Sequence, residues 1–593
     1  MMRTSLSVNP MLASQTPKWR SVFVVAFMAL AFAGLLGRSL YIQVIQNDFF
    51  QQKGEKRFAR PITLQAHRGR ILDRNGVVLA SSILVPSIAA VSNEVRCEPG
   101  AAAVAKDKRC SPDNLARLSR VLDISVAELN KKLPSGDKTL VMLKRHVDAS
   151  LAKAVAALGI AGVQQLMEYK RQYPEGEVAA HVVGFNNIED QGTGGIELAF
   201  NQELGGHNGS RRVIKDRNGR VVEDVVDQVA PVHGHDVQLS IDSRLQFFAF
   251  QQIKTAVQQN KALSGSVVVL DVRTGEVLSM VNYPSFMPEK RQNPRDFALR
   301  NRALTDPFEP GSTIKPFVIA LALNKGLVKP TTLIQAAPRS LTVGNLTVKD
   351  SHDHGMLSVS EVIQKSSNIG TARIAMQMSA HDIWEMYSGV GFGQKPVPSF
   401  PRAVRGLLRP YKAWQPVDQA TISYGYGVSV SLVQLARAYT LFARDGDVVP
   451  ASLLKVETPV AGQPVIQSKV AREMRQMLHR VTTEGGTALL AQILGYSVGG
   501  KTGTAHKYLG KNLGYAKNKY RGVFAGLAPI DNPRIVVAVM IDEPNAGLHF
   551  GGDVAAPVFS ETVQQTLRIL GVTPDTAVEP HTAAPLALAT GSF

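Results

Sequence analysis

The polar and apolar residues near the start of the chain are unevenly distributed. The run SVFVVAFMALAFAGLLG, from Ser21 to Gly37, carries no charge, Lys18 and Arg20 lie before it, and Arg38 follows it. This run is at the short end of the roughly 20 residues that cross a bilayer. The apolar segment SLYIQVIQ follows, however, and it can extend the helix past Arg38, since the long side chain of Arg38 can reach toward the membrane surface. The pattern predicts a membrane-spanning helix over 18–45, after a polar tail over 1–17.

A cleaved signal peptide is the alternative interpretation of this run. Ala29 and Ala31, and Ala31 and Ala33, have the small-residue spacing of cleavage sites. Both pairs lie inside the apolar run, with no polar segment before them, so we favour an uncleaved span. Basic residues before the span predict a cytoplasmic N-terminus and an exported remainder.

Beyond the span, the pattern changes from short alternating stretches to longer helical ones. DRNG followed by VVLAS predicts a turn and a strand, 112–170 predicts helices, and 243–261 predicts a long helix. Strands are predicted at SGSVVVLDVRTGEVLSMVNYP and again near the end at YRGVFAGLAPIDNPRIVVAVMIDEP, before a final helix, APVFSETVQQTLRIL. The predicted class is α+β, with an antiparallel sheet whose strands come from both ends of the second part. We divide the exported chain into 46–230, 231–571 and a tail over 572–593 that we expect to be disordered.

The composition limits the environments in which the protein can work, but it does not identify the reaction. The chain has 593 residues, more than one domain usually holds, with 45% hydrophobic and 19% charged residues, as in globular proteins. A net charge of +18 fits an anionic environment such as a membrane or cell-wall polymer, or simply aids solubility. No nucleic-acid motif occurs, which excludes that class. Cys97 and Cys110 could form a disulfide in an oxidising compartment or remain separate thiols.

The stretch EPGSTIKPF contains the first candidate catalytic pair. Ser-x-x-Lys also occurs elsewhere, for example at Ser452 and Lys455, so the spacing alone is weak. Here Pro310-Gly311 breaks the chain, and Pro316 is tolerated only near the first turn of a helix, which predicts a helix start at about Ser312. Ser312 and Lys315 would share one face at the positive end of the helix dipole. A buried lysine there could lose its charge and accept the hydroxyl proton.

Two further short motifs follow in order. QKSSNIG lies behind a capping box from Ser358 to Glu361, and GGKTGTA lies on a predicted strand whose glycines allow close approach of a substrate. The ordered set of Ser-x-x-Lys, Ser-x-Asn and Lys-Thr-Gly resembles that of penicillin-binding proteins and serine β-lactamases. It comprises Ser312, Lys315, Ser366, Asn368, Lys501, Thr502, Gly503 and Thr504.

The chain further resembles class B penicillin-binding proteins, above all the division-specific FtsI type, up to about residue 571. The motifs include RGRILDRNGVVLA at 68–80, RQYPEGEVAAHVVG at 171–184 and GGIE at 194–197. RNRALTDPFEPGSTIKPF, SYGYGVSVSLVQLARAY and GGDVAAPVF are similar to the transpeptidase domain of that family. The resemblance implies a single-pass protein of the bacterial inner membrane. It also implies a pedestal or dimerisation-like module over 46–230 and a transpeptidase domain over 231–571.

The resemblance also implies roles for the motif residues. Ser312 would attack a stem peptide ending in D-Ala-D-Ala, with Lys315 as base, Ser366 as proton relay and Asn368 holding the acyl-side amide and Lys315. Lys501 would supply positive charge, and Thr502, Gly503 and Thr504 would bind the substrate. The N–H groups of Ser312 and Thr504 would form the oxyanion hole. The implied partners are peptidoglycan stem peptides, β-lactams, an FtsW-type glycosyltransferase and other divisome proteins, without nucleic acid, metal or cofactor.

Several alternatives remain at this point. SHDHG, at 351–355, invites a metal hypothesis, although its side chains are too close in sequence to define a site and predict a polar turn. Tyr424 and Tyr426 are expected to shape the cleft. A carboxypeptidase or β-lactamase, an elongation-type transpeptidase and a non-catalytic scaffold are the rival functions. The membrane span and the large first module argue against a hydrolase, and the intact motifs argue against a scaffold.

Overall fold

The computed structural model describes residues 17–47, 59–98, 111–136, 139–215, 221–290, 297–510 and 512–577. These residues form two compact units. The first contains 17–47, 59–66, 207–215 and 221–232, and the second contains the other described residues. Most of the predicted tails, 1–16 and 578–593, lie outside the described residues.

The first unit contains the apolar helix and a small sheet. The helix Lys18–Leu40 continues as a π-helical turn, Tyr41–Ile45, so the expected helix over 18–45 is present. It is long and apolar enough to cross a membrane, and its large apolar side chains are exposed, as lipid contact would require. An antiparallel sheet has the strand order Ala59–Leu64, Gly209–Lys215, Val221–Val229.

In the first part of the second unit, the helical prediction for 112–170 is wrong in part. Helices do form there, but Leu140–Lys144 and Val163–Gln172 are strands that pair with the long strand Val78–Val91. Gly159 and Gly162 have positive φ, which ends the last helix and lets the chain return as a strand. The sheet is completed by Ile71–Leu72 and Val237–Gln238. The helices here are Ser92–Val95, Asn114–Leu122, Val126–Lys132, Ala149–Ala157, Ala180–Val183, Gly195–Ala199 and Asn201–Gly205, and a small hairpin pairs Phe185–Asn186 with Gly192–Gly194.

A buried ionic cluster fixes this region. Glu197 is fully buried and accepts hydrogen bonds from Arg68 Nε at 2.8 Å and Arg171 Nε at 2.7 Å. These residues come from the RGRILDRNG, RQYP and GGIE motifs, so the cluster explains why those three segments converge. Cys97 is disulfide-bonded, and the one other cysteine of the chain, Cys110, lies outside the described residues.

The later part of the second unit contains the antiparallel sheet that the sequence predicts, with strands from both ends, and this sheet has five strands. The order is Val277–Tyr283, Ser264–Asp271, Ile535–Asp542, Tyr515–Ala528, Gly499–Tyr508. Every residue of the second and third strands is buried. The helices Ser243–Gln259 and Ala556–Ile569 pack on this sheet, and so does Leu432–Ala443. The α+β class is therefore confirmed.

In sequence, the remaining helices and short ribbons lie between the two groups of strands, except Gly551–Val554, which follows the last strand. Lys315–Asn324 is the central helix, buried along nearly its whole length. The other helices are Arg302–Thr305, Val359–Gln364, Asn368–Ala375, Ala380–Gly389, Pro416–Ser423, Ser468–Thr482 and Gly551–Val554, with 3₁₀ turns at Phe297–Leu299, Gly311–Ile314, Tyr411–Ala413 and Leu489–Ala491. Ribbons pair Leu333–Gln335 with Met356–Ser358, Ser340–Val343 with Leu346–Lys349, and Asp447–Val448 with Gln463–Pro464.

Candidate active site

Ser312 lies in the 3₁₀ turn Gly311–Ile314, here called the serine turn, and the α-helix begins only at Lys315. The helix start predicted at about Ser312 is therefore a 3₁₀ turn, with Pro316 in the first α-helical turn, where its missing N–H costs nothing. Thr313 anchors the turn: its carbonyl accepts from the buried Tyr439 hydroxyl at 2.7 Å, and its own hydroxyl donates to the carbonyl of Pro310. Ser312 is partly exposed between two buried neighbours, which leaves its hydroxyl accessible.

Lys315 is fully buried and points at the second motif. Its Nζ donates to the carbonyl of Ser366 at 2.5 Å and lies 3.3 Å from the hydroxyl of the same residue. Burial lowers the pKa of Lys315 to about 7. Near neutral pH a substantial fraction of this amine is therefore uncharged and able to accept a proton.

The backbone of the SSN motif is unusual at Ser366. Its φ is +62°, in the left-handed region, and this conformation precedes the helix Asn368–Ala375. Ser367 caps that helix by accepting from the N–H of Gly370 at 2.8 Å. Asn368 donates from Nδ2 to the carbonyl of Lys349 at 2.8 Å. Among the described residues no hydrogen bond joins Asn368 to Lys315, the contact that the family resemblance implies.

Asp350 is a structural element of the site that the sequence did not reveal. This carboxylate is 4% exposed and accepts from the Ser367 hydroxyl and the Asn368 N–H, both at 2.5 Å, and from the Ile369 N–H at 3.2 Å. Its charge also raises the pKa of Lys315, against the larger effect of burial. Asp350 thus fixes the start of the SSN helix, where a negative charge is stabilised by the helix dipole.

The segment next to Asp350 does not support the metal hypothesis. His352 and Asp353 are exposed, and the rings of His352 and His354 are 6.1 Å apart. No group of three or more potential metal ligands occurs in the part of the chain that the structure describes.

The Lys-Thr-Gly motif lies on the edge strand Gly499–Tyr508, here called the KTG strand. Lys501 is fully buried, and its Nζ donates to the carbonyl and hydroxyl oxygens of Thr502 at 3.2 and 3.3 Å. Burial, and secondarily the charge of Lys315, hold the pKa of Lys501 well below its ordinary value. The Thr504 hydroxyl accepts from the Gly551 N–H at 3.1 Å, which leaves its own hydrogen free to donate to a ligand.

Gly503 sets the approach between the KTG strand and the serine turn. A Cβ at this position would lie 2.9 Å from the carbonyl oxygen of Pro310 and 2.9 Å from Cγ2 of Thr313. Only glycine therefore fits without displacing one of the two segments. Together with the contact between Lys315 and Ser366, this packing brings all three motifs to one place.

The tyrosine-rich segment is anchored by Glu309, a second residue that the sequence did not single out. Its Oε1 accepts from the Gly427 N–H at 2.8 Å and from the Tyr515 hydroxyl at 2.9 Å, and burial raises the pKa of its carboxyl group. Tyr426 packs edge-on against Tyr424 and Tyr515. The aromatic rings are therefore held directly beside the segment that leads into the serine turn.

A serine in the turn before a helix, a buried lysine of lowered pKa, a second serine within hydrogen-bond distance of that lysine and a hydroxyl-rich edge strand are together the machinery of a serine acyltransferase. Comparisons with known proteins agree. The model of the penicillin-binding protein transpeptidase domain matches residues 265–564, and that of the penicillin-binding protein dimerisation domain matches residues 63–239. The chain belongs to the penicillin-binding protein family, as a serine-type transpeptidase of class B and of the FtsI type.

Individual relatives extend over nearly the whole chain. The probable peptidoglycan D,D-transpeptidase PenA of Neisseria meningitidis serogroup A is 40% identical over 571 residues, covering 96% of this chain and 95% of that protein. Peptidoglycan D,D-transpeptidase FtsI of Escherichia coli K12 is 37% identical over 558 residues, covering 94% and 93%. The apo structure of the TP domain from Burkholderia pseudomallei penicillin-binding protein 3 is 48% identical, covers 57% of this chain and 98% of that chain, and has a TM-score of 0.53.

Proposed function

We propose that this D,D-transpeptidase cross-links peptidoglycan stem peptides at the division septum through an acyl-enzyme on Ser312. The observation that carries the proposal is the convergence of the three motifs around two fully buried lysines, one of which contacts Ser366. The septal assignment is supported by the FtsI relative of Escherichia coli and by its coverage of nearly the whole chain.

In the first half-reaction, neutral Lys315 takes the proton of the Ser312 hydroxyl as its oxygen attacks the penultimate D-alanine carbonyl. The carbonyl oxygen becomes an oxyanion, which the N–H groups of Ser312 and Thr504 stabilise, each such donor contributing about 3 kcal/mol. Ser366, within hydrogen-bond distance of Lys315, relays the proton to the departing amine. The C–N bond then breaks and terminal D-alanine leaves, with an ester to Ser312 as the product.

In the second half-reaction, an amino group of a neighbouring stem peptide attacks this ester. The amine loses a proton through Ser366 to Lys315, the ester bond breaks, and Ser312 recovers its hydrogen. Asn368 holds the acyl-side amide of the donor in both half-reactions, whereas Thr502, Gly503 and Thr504 hold its terminal carboxylate only in the first, before terminal D-alanine leaves. That carboxylate also favours the protonated form of Lys501, which burial otherwise disfavours.

The remaining parts of the proposal concern location and partners. The helix 18–45 would anchor the protein in the bacterial inner membrane with its N-terminus in the cytoplasm, as the flanking basic residues favour. The helix and the pedestal module would contact an FtsW-type glycosyltransferase and other divisome proteins. β-Lactams would acylate Ser312 because their strained amide resembles the D-Ala-D-Ala bond.

Intact-protein mass after brief exposure to benzylpenicillin tests the acyl-enzyme. We expect one penicilloyl adduct on the native protein and none on Ser312→Ala. Rapid loss of the adduct with turnover of penicillin would instead indicate a hydrolase, and absence of any adduct would favour the scaffold. The septal role is tested by depletion in cells: filaments support it, whereas spherical cells would assign the enzyme to elongation.

A further inference from the structure

The loop 483–487, here called the bridging loop, contacts both the SSN motif and the KTG strand, although it belongs to neither. It follows the helix Ser468–Thr482, and the Gly486 N–H closes its turn by donating to the carbonyl of Thr483 at 2.9 Å. None of the residues that the proposed mechanism uses lies in this loop. Its contacts with two of the three motifs therefore need a separate explanation.

One side of the bridging loop is held by two residues that directly precede Ser366. Gln364 Nε2 donates to the carbonyl of Glu484 at 3.1 Å, and Lys365 Nζ donates to the carbonyl of Gly485 at 2.9 Å. A hydrogen bond from an ionised donor is stronger than one between neutral groups. The ammonium group of Lys365 therefore ties the bridging loop to the SSN motif.

The other side of the bridging loop is held by the KTG strand. The hydroxyl oxygens of Thr487 and Thr502 are 2.9 Å apart, and the Thr502 hydroxyl also accepts from Lys501 Nζ at 3.3 Å. The backbone of Thr487 is closely packed as well, since a Cβ added to Gly552 would lie 2.3 Å from its carbonyl oxygen. The Thr487 hydroxyl is therefore held in place beside that of Thr502.

This pair of hydroxyl groups determines where the hydrogen of Thr502 can point. A hydroxyl has one hydrogen to donate and two sites at which it accepts. At Thr502 the Nζ of Lys501 occupies one accepting site, and Thr487, when it donates, occupies the other. The hydrogen of Thr502 is then left for a third group, and accepting two hydrogen bonds makes the hydroxyl a stronger donor. A carboxylate of the substrate is an acceptor of the required kind.

We propose that Thr487 and Lys365 are positioning residues for the part of the site that binds the terminal carboxylate. Thr487 orients the hydroxyl of Thr502 toward the carboxylate, and Lys365 holds the loop that carries Thr487. The proposal rests on the proposed function, because that function places the terminal carboxylate at Thr502. Both residues act on recognition of the carboxylate and not on acyl transfer to Ser312.

The test compares acylation by benzylpenicillin, which carries a carboxylate, with acylation by its methyl ester, on the full chain in detergent. Lys365→Met keeps the length of the side chain but removes the donor. It should lower the ratio of the two second-order rates about fivefold, the loss that one misplaced hydrogen bond causes, by slowing only the reaction with penicillin. Lys365→Arg restores a cationic donor and should restore the ratio. The control is Lys469→Met, at an 80% exposed lysine near the far end of the helix Ser468–Thr482.

A second variant tests whether Lys365 acts through Thr487. Thr487→Val removes the hydroxyl at nearly the same volume and should lower the ratio at least as much as Lys365→Met does. The double variant should then lose no more than Thr487→Val alone, because the loop that Lys365 holds no longer carries the hydroxyl. Losses that add in the double variant would overturn the inference, and so would equal slowing of the penicillin and ester reactions.

The native chain separates this inference from the proposed function. A native preference for benzylpenicillin over its ester that Lys365→Met leaves unchanged counts against the positioning roles alone. Equal native rates with the two compounds would remove the carboxylate-binding site, and with it the inference, but would leave the acyl-enzyme intact. Absence of any adduct on the native chain would overturn the proposed function and the inference together.

Discussion

Replacing Asp350 by asparagine would test how the SSN helix is held in register with Lys315. The substitution keeps one acceptor oxygen and nearly the same shape, but it removes the charge and one of two 2.5 Å acceptor contacts, to the Ser367 hydroxyl or the Asn368 N–H. A hydrogen bond to a charged group contributes about 1.5–3 kcal/mol. If about 2 kcal/mol of this hydrogen-bond free energy is lost from the transition state for acylation, acylation slows roughly 30-fold.

The same substitution should also change the pH dependence of acylation, in a direction that a looser attachment of the SSN helix would not produce by itself. The charge of Asp350 raises the pKa of Lys315, which burial has lowered to about 7. Without that charge the pKa falls further, so the neutral amine persists to lower pH. We therefore expect a lower plateau rate together with an acid limb displaced to lower pH.

The assay is the second-order rate of acylation by a fluorescent penicillin, followed from about pH 5 to about pH 9 across the lysine titration. Asp353→Asn is the matched control, because that carboxylate is exposed and lies three positions further along the same segment. An unchanged rate and an unmoved limb in Asp350→Asn would refute the positioning role. Equal losses in both variants would attribute the effect to charge in general.

Three further outcomes are expected. In the native protein the acylation rate should rise with pH through about pH 7, since the proposed mechanism takes the neutral form of Lys315 as the base. A flat rate–pH profile through that region would exclude this role. Glu197→Gln should lower the free energy of unfolding by about 3–5 kcal/mol, because it leaves two buried guanidinium groups without a carboxylate. Chemical denaturation measures this free energy, with Glu189→Gln at an exposed site as the control. Gly503→Ala should slow acylation at least about tenfold by pushing the KTG strand away from the serine turn. The control Gly389→Ala, whose added Cβ would meet only ordinary contacts, should leave the rate unchanged. Equal acylation rates in the two variants would count against close packing of the KTG strand on the serine turn.

The sequence predicts the parts of this site that depend on local pattern. The three motifs, their order, the capping box at Ser358 and the antiparallel sheet with strands from both ends were all readable from residue spacing. The helical prediction over 112–170 was wrong in part because VQQLMEYKRQ has no local feature that excludes a helix. Its conformation is decided by pairing with Val78–Val91, a partner distant in the sequence.

The residues that sequence analysis missed are those whose roles arise only from tertiary contacts. Asp350 lies in a polar turn with nothing to mark it, and Glu309 looks like any charged residue before a proline. Each becomes important because a distant backbone donates to it: that of Asn368 in one case and Gly427 in the other. The left-handed conformation of Ser366, which turns its carbonyl toward Lys315, is likewise invisible in a motif.

The charge states of the two lysines link substrate recognition to catalysis. Lys315 and Lys501 are both fully buried, and the charge of Lys315 lowers the pKa of Lys501, so the empty site disfavours two protons. A substrate carboxylate at Thr502 and Thr504 would bring a negative charge to Lys501 and stabilise its proton. By the same repulsion, a protonated Lys501 disfavours a proton on Lys315, which would then be the neutral base that the proposed mechanism requires. A ligand with the terminal carboxylate would thus favour the reactive protonation state, whereas one without it would leave the proton free to occupy either lysine.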